Sequence, residues 1–183
     1  MSRLNLIPAQ EAPLAPEWVT TEWMNHKGTL RLADLRGRVV ALHAFQMLCP
    51  GCVSHGIPQA QRIATTFPDV AVIGLHTVFE HHAAMTPVSL AAFLHEYRIG
   101  FPVGVDAPGP MAGVPTTMAS YQMRGTPTLV LIDHRGRVRL HAFGRPDDMA
   151  VGAAVATLVE AAHAPAAAQP AAEGGCSPDG CLA

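Results

Sequence analysis

Charge is scarce in this chain. Only 14% of the 183 residues are Asp, Glu, Lys or Arg, and the formal net charge is -2. No basic field exists to hold nucleic acid or an anionic membrane surface. Long apolar runs are lacking as well: no stretch approaches the roughly 18 consecutive apolar residues of a membrane span. Residues 1–18 are interrupted by Pro8, Pro13 and Pro16 and charged at Glu11 and Glu17, so they offer no signal-peptide core. A cytoplasmic location, without nucleic acid or membrane as partner, is therefore expected. There is no internal repeat. What fills the chain is small and apolar: 49% of residues are hydrophobic, with 16 Gly and 16 Pro, which leaves the core to scattered Val, Leu, Ile and Phe.

The order of elements points to an α/β layer fold with a mixed central sheet flanked by helices. Residues 1–16 read as an irregular arm and 17–163 as one domain. Residues 164–183 read as a flexible Ala/Pro-rich tail. Trp18 to Trp23 and Thr29 to Leu32 are expected to pair as a hairpin around Asn25-His26-Lys27-Gly28. Val39 to Phe45 is a nearly continuous apolar run, the pattern of a strand buried on both faces. A helix is predicted over 53–67, with Ile57, Ala60, Ile63 and Ala64 on one side. A buried strand follows over 70–75, and a helix capped by Thr86 over 87–97. A short strand at 101–105 and a short helix at 116–121 come next. The strand at 128–132 turns through Asp133 to Arg137 into an antiparallel strand at 138–143. A last helix spans 147–162.

Four cysteines occur as two close pairs, Cys49 with Cys52 and Cys176 with Cys181. In a cytosolic chain such pairs are more often redox dithiols or metal ligands than structural disulfides. Cys49-Pro50-Gly51-Cys52 follows a buried strand and opens a helix. There, unpaired backbone N–H groups and the positive end of the helix dipole favour a thiolate. Cys49, more N-terminal and more exposed, should attack a disulfide, and Cys52, one turn inward, should resolve the mixed disulfide. The pair then carries the electrons, and no cofactor is needed. Cys49, Cys52 and His55 also have a ligand-like C-x-x-C-x-x-H spacing, so a zinc- or copper-binding protein is the rival reading.

Residues 29 to 160 resemble the thioredoxin superfamily, in its TlpA-like or redoxin-domain branch. The resemblance rests on Asp34-Leu35-Arg36-Gly37-Arg38-Val39-Val40 before the central strand and on the C-P-G-C junction. It rests also on Gly125-Thr126-Pro127-Thr128 before a later strand, and on Phe143-Gly144 in the last strand. The stretch from Val78 to Asp106 matches that branch's helix-and-strand insert. The resemblance implies a thioredoxin-like fold and thiol–disulfide oxidoreductase activity on a protein or small-molecule thiol or disulfide, with a reductase as electron donor. It also implies that Pro127 is cis and faces the dithiol, and that Thr126 offers its backbone to an extended substrate.

The chain departs from that pattern at informative places. Leu48 stands where an aromatic often precedes the first cysteine. His43 occupies a central-strand position that is often acidic or an amide, and His55 another that is often acidic. Both histidines are thus candidates for moving the proton of Cys52, against the plainer reading of a packed core residue and a surface residue. Pro58 falls one residue later than usual, so the helix start is expected to be rearranged. A peroxide-reducing redoxin is a weaker alternative, because Leu42 and Gln46 stand where its proline and threonine belong. Glu80-His81-His82 reads as a solvated loop, with an approach to the active site or a metal as the alternatives. In the tail, Ser177-Pro178-Asp179-Gly180 fits a type I turn that brings Cys176 and Cys181 together. A linker of that length spans roughly 20 Å, enough to make this pair a candidate relay to Cys49. A soft-metal clip and incidental thiols are the other readings.

Overall fold

The computed structural model describes residues 4–110 and 113–164. Six strands form one mixed sheet in the order β1-β4-β3-β2-β5-β6. They are β1 (Thr20–Met24), β2 (Val40–Phe45), β3 (Ala71–His76), β4 (Val103–Asp106), β5 (Thr128–Ile132) and β6 (Val138–Phe143). β2, β3 and β4 run parallel, and β5 lies antiparallel to β2 on its other side. Every residue of β2 and β3 is buried, so the near-continuous apolar runs were the right signal for strands covered on both faces. Alternation divides the core cleanly. Val39, Ala41 and Phe45 join the helices α1 (Ile57–Thr66), α2 (Pro87–Glu96) and α4 (Asp148–His163) on one face. Val40, Leu42 and Ala44 join Trp18, Leu30 and the short helix α3 (Thr116–Ser120) on the other.

The expected hairpin does not form. β1 pairs antiparallel with β4, joining Thr20 to Asp106, while Leu32–Leu35 is a turn of 3₁₀-helix. The chain does turn at 25–28, with Asn25 and Gly28 at positive φ. However, the Asn25 side-chain amide donates to the Ile99 carbonyl at 2.6 Å, which ties the turn to the chain ahead of β4. A buried carboxylate strengthens the same region. Asp106 accepts the N–H groups of Thr117 and Met118 at 2.8 and 3.0 Å, which joins β4 to α3.

Residues 7–15 run along β6. Ile7 N–H donates to the Arg139 carbonyl and Ala15 N–H to that of Gly136, while Val138 N–H donates to the Pro13 carbonyl. The β5–β6 turn is held by Asp133, whose carboxylate accepts the N–H groups of Arg135 and Arg137 and pairs with Arg139. Thr86 and Asp147 cap α2 and α4 through their side-chain oxygens, as their positions predict.

The helix after the dithiol is unusual at its start. Residues 52–56 form a π-turn, with Ile57 N–H bonded to the Cys52 carbonyl, before regular α-helix resumes at Ile57. A π-turn is how a helix absorbs one extra residue, and this one lies directly ahead of the late Pro58. Among the described residues, no helix is long and apolar enough to cross a membrane.

Candidate active site

The parallel strands β2 and β3 end on the same side of the sheet, where the loops that follow them converge. The loop after β2 carries Cys49, whose N–H donates to the Gln46 carbonyl at 3.1 Å. Both sulfurs are free thiols. The Cys52 N–H points at Cys49 Sγ from 3.3 Å, and the Cys49 thiol donates to the Thr126 carbonyl at 3.5 Å. An N–H aimed at a sulfur stabilises negative charge on it. Cys49 is half-buried, whereas Cys52 is sealed at 0% exposure. Burial pushes the Cys52 thiol up to about 12, and its hydrogen bond with Cys49 adds to the rise.

The Thr126–Pro127 peptide bond is cis. Pro127 packs over the dithiol helix, so closely that a Cβ on Gly51 would stand 3.2 Å from Pro127 Cδ. The structure therefore brings Cys49, Cys52, Thr126 and Pro127 together.

The two histidines part company. His43, on β2, is buried under the same helix: a Cβ on Gly56 would stand 2.7 Å from His43 Nε2 and 2.9 Å from Pro127 Cβ. Only glycine lets imidazole and proline approach there. His43 stacks on Phe45, its Nε2 has no hydrogen-bond partner, and burial lowers its pKa to about 4. His55 instead faces the Pro146 carbonyl at 3.0 Å, beside Gln59, which donates to the same carbonyl and to Asp148. Among the described residues, no group of three His, Cys, Asp or Glu side chains is arranged to hold a metal ion. Cys176 and Cys181 lie outside the described residues.

The loop after β3 reaches the site. A cleft of about 330 Å³ opens beside Cys49, walled by Leu48, Phe79, Glu80, His81, Thr126 and Phe143. Gln46, buried beneath it, accepts the Phe79 N–H at 3.2 Å and donates to Glu80 Oε1 at 3.3 Å. The residues that a solvated-loop reading of Glu80-His81-His82 underrates are thus Glu80 and His81. The available signal was topological: segments following adjacent parallel strands share one edge of the sheet. On the other flank, Arg145 donates to Ser54 Oγ at 3.0 Å, and Gly144 N–H donates to the Pro127 carbonyl at 2.8 Å.

Comparison with known proteins agrees with this geometry. Residues 11–141 match the AhpC/TSA family. A thioredoxin-like superfamily protein of known structure is 61% identical with a TM-score of 0.78, covering 81% of this chain and 97% of its own. A thiol-disulfide isomerase from Corynebacterium glutamicum is 48% identical with a TM-score of 0.76, over the same 81% and 97%. A secreted Mycobacterium tuberculosis disulfide oxidoreductase, 19% identical with a TM-score of 0.59 over 79% of this chain and 96% of its own, shares the fold. No curated relative matches. Fold and comparisons together define a thioredoxin-like thiol–disulfide oxidoreductase. The chain belongs to the AhpC/TSA family, in the redoxin part of the thioredoxin superfamily.

Proposed function

We propose that the chain exchanges disulfides with a protein thiol or disulfide through Cys49 and Cys52. The observation that carries this is the asymmetry of the pair: one sulfur is open to a cleft and faced by an N–H at 3.3 Å, the other is sealed behind it. In the reducing direction, the Cys49 thiolate attacks a substrate disulfide. That S–S bond breaks, one substrate thiolate leaves, and a mixed disulfide forms. Cys52 loses its proton and attacks Cys49 Sγ, which releases the second substrate thiolate. The protein dithiol is oxidised to a disulfide and the substrate disulfide is reduced to two thiolates, one of which takes the proton of Cys52 while the other takes one from water. Thr126 and Pro127 line the approach, where an extended substrate backbone can pair with the main chain.

Of the two histidines, His43 is assigned to the proton of Cys52, because His55 is engaged at the Pro146 carbonyl. Burial limits that role: it disfavours an imidazolium at His43 just as it disfavours a thiolate at Cys52, so His43 is a poor place to store the proton. His43 therefore relays or orients, and the leaving thiolate is the final acceptor. A peroxide-reducing role has weaker support, since Gln46 uses its side chain to hold the loop after β3. For the relay through Cys176 and Cys181, the starting point is the end of α4. His163 lies beside Gly37 and Arg38, at the end of β2 far from Cys49. The six residues of β2 alone cover about 20 Å, so the relay asks the tail for at least its whole estimated reach of roughly 20 Å.

We take the direction to be reductive, as a cytoplasmic setting would favour. A reduction potential near roughly −270 mV fits this, and one near roughly −120 mV reverses it. The deciding experiment for exchange itself is trapping with Cys52→Ser. Mixed disulfides through Cys49 are expected on mass spectrometry, and their absence under conditions that label Cys49 with an alkylating agent would end the reading.

A further inference from the structure

The wall of the cleft carries a carboxylate, with His81 next to it in the chain. Glu80 is exposed, and among the described residues its carboxylate takes part in no ion pair. Its placement is nevertheless fixed. Gln46, 1% exposed, spends one end of its amide on the Phe79 N–H and the other on Glu80 Oε1. A buried amide with both ends engaged is a rigid support, so the carboxylate is held over the cleft rather than swinging free in water. The cations on this side are occupied elsewhere: Arg145 on Ser54, and Arg124 over the Phe143 ring, 5.4 Å from its centroid. The cleft that Glu80 shares with Cys49 has a mixed wall, in which Leu48, Phe79, Met85 and Phe143 supply the apolar part and Gln46, His81 and Thr126 the polar part.

A cleft with an apolar patch and a held carboxylate that takes part in no ion pair among the described residues suits a side chain with a hydrocarbon stem and a cationic head. We propose that this cleft is a specificity pocket for a lysine or arginine next to the reacting cysteine of a substrate protein, with Glu80 as the counter-charge and Gln46 as its positioning residue. The stem lies along Phe79, Met85 and Phe143, and the head meets Glu80. An acidic residue at the same place meets an uncompensated like charge, so the pocket selects by repulsion as well as by attraction. The assignment rests on the disulfide-exchange reading and deepens it by naming the substrate class.

The test uses three disulfide-linked peptide dimers that differ only in the residue beside the cysteine: lysine, norleucine or glutamate. Each is mixed with the prereduced full-length protein in a single turnover, and the second-order rate constant is measured at low and high salt. The lysine peptide should react about five to ten times faster than the glutamate peptide, with norleucine between, as expected for one partly exposed charge pair. High salt should narrow the gap. Glu80→Gln should bring the lysine-to-glutamate ratio towards one, and Glu80→Lys should invert it. Because each ratio is internal to one variant, a general loss of rate does not imitate the effect. Equal rates for the three peptides with the unmodified protein, or a ratio unmoved by Glu80→Gln, would overturn the pocket. Failure of all three peptides to react would instead remove the exchange reading on which it depends.

Discussion

Cys49 and Cys52 belong to one helix turn but to different solvents. Around Cys49 the protein is wet and open: a half-buried sulfur, a backbone N–H aimed at it, and a cleft with a carboxylate on its rim. Around Cys52 it is dry and closed, with the sulfur sealed and its thiol raised to about 12. His43, nearby on β2, is also buried and is held neutral, with a pKa near 4. The difference gives two chemically identical thiols different surroundings, as the proposed attacking and resolving roles require. Chemistry at Cys49 is set by what faces it, and chemistry at Cys52 by what is kept away.

The largest effect should come from exchanging the two duties. Cys49→Ser is expected to lower exchange by more than about a thousandfold, since a hydroxyl is a far weaker nucleophile than a thiolate at neutral pH. Cys52→Ser should retain the first attack and stall as a mixed disulfide, visible on a non-reducing gel. Equal losses at the attack step in both variants would break the comparison.

Acid tests the dry half. His43 and His76 are both lowered by burial to about 4, from an ordinary 6.5. The Met47 N–H bonded to His76 Nε2 at 3.4 Å also requires that nitrogen to be unprotonated. The unfolded chain thus binds protons first as pH falls. Stability is whole above about 6.5, is lost progressively towards pH 4, and levels off below that. The loss is roughly 3 kcal/mol for each histidine. Urea midpoints between pH 7 and 4 should follow this slope. His43→Phe, which keeps a ring against Phe45, should make it shallower and should slow the resolving step more than the attack.

A smaller loss is expected from Gly56→Ala, whose methyl would meet His43 and Pro127: about 1–3 kcal/mol by urea unfolding. The smallest belongs to His55→Ala. It gives up the contacts of a half-buried ring with the Pro146 carbonyl and the Gln59 amide, within about 1 kcal/mol and with the resolving rate unchanged. A large effect on that rate would return His55 to the proton path.

Much of this was legible in the sequence because it is local. Runs such as Val39–Phe45 and Thr128–Ile132 announce strands by burial on both faces. C-P-G-C announces a helix mouth, and Thr86 announces a cap. What failed was long-range partnership. The segment before Asn25 had the right composition for a strand and a real turn behind it, but its partner is β4, about eighty residues on. Composition does not carry that address. The cleft was hidden for the same reason. Gln46 and Glu80 are far apart in the chain, and the amide that joins them exists only once β2 and β3 lie side by side. The late Pro58 did carry a signal, since a displaced proline marks an extra residue, though not the π-turn that absorbs it.

The arm along β6 has a further consequence. By pairing its own main chain with residues 136–139, the segment 7–15 occupies the start of that strand's outer edge, where a second polypeptide would otherwise find a free ladder. The covered stretch lies at the end of β6 that leads out of the β5–β6 turn, so what the arm closes is the end away from Phe143 and the cleft.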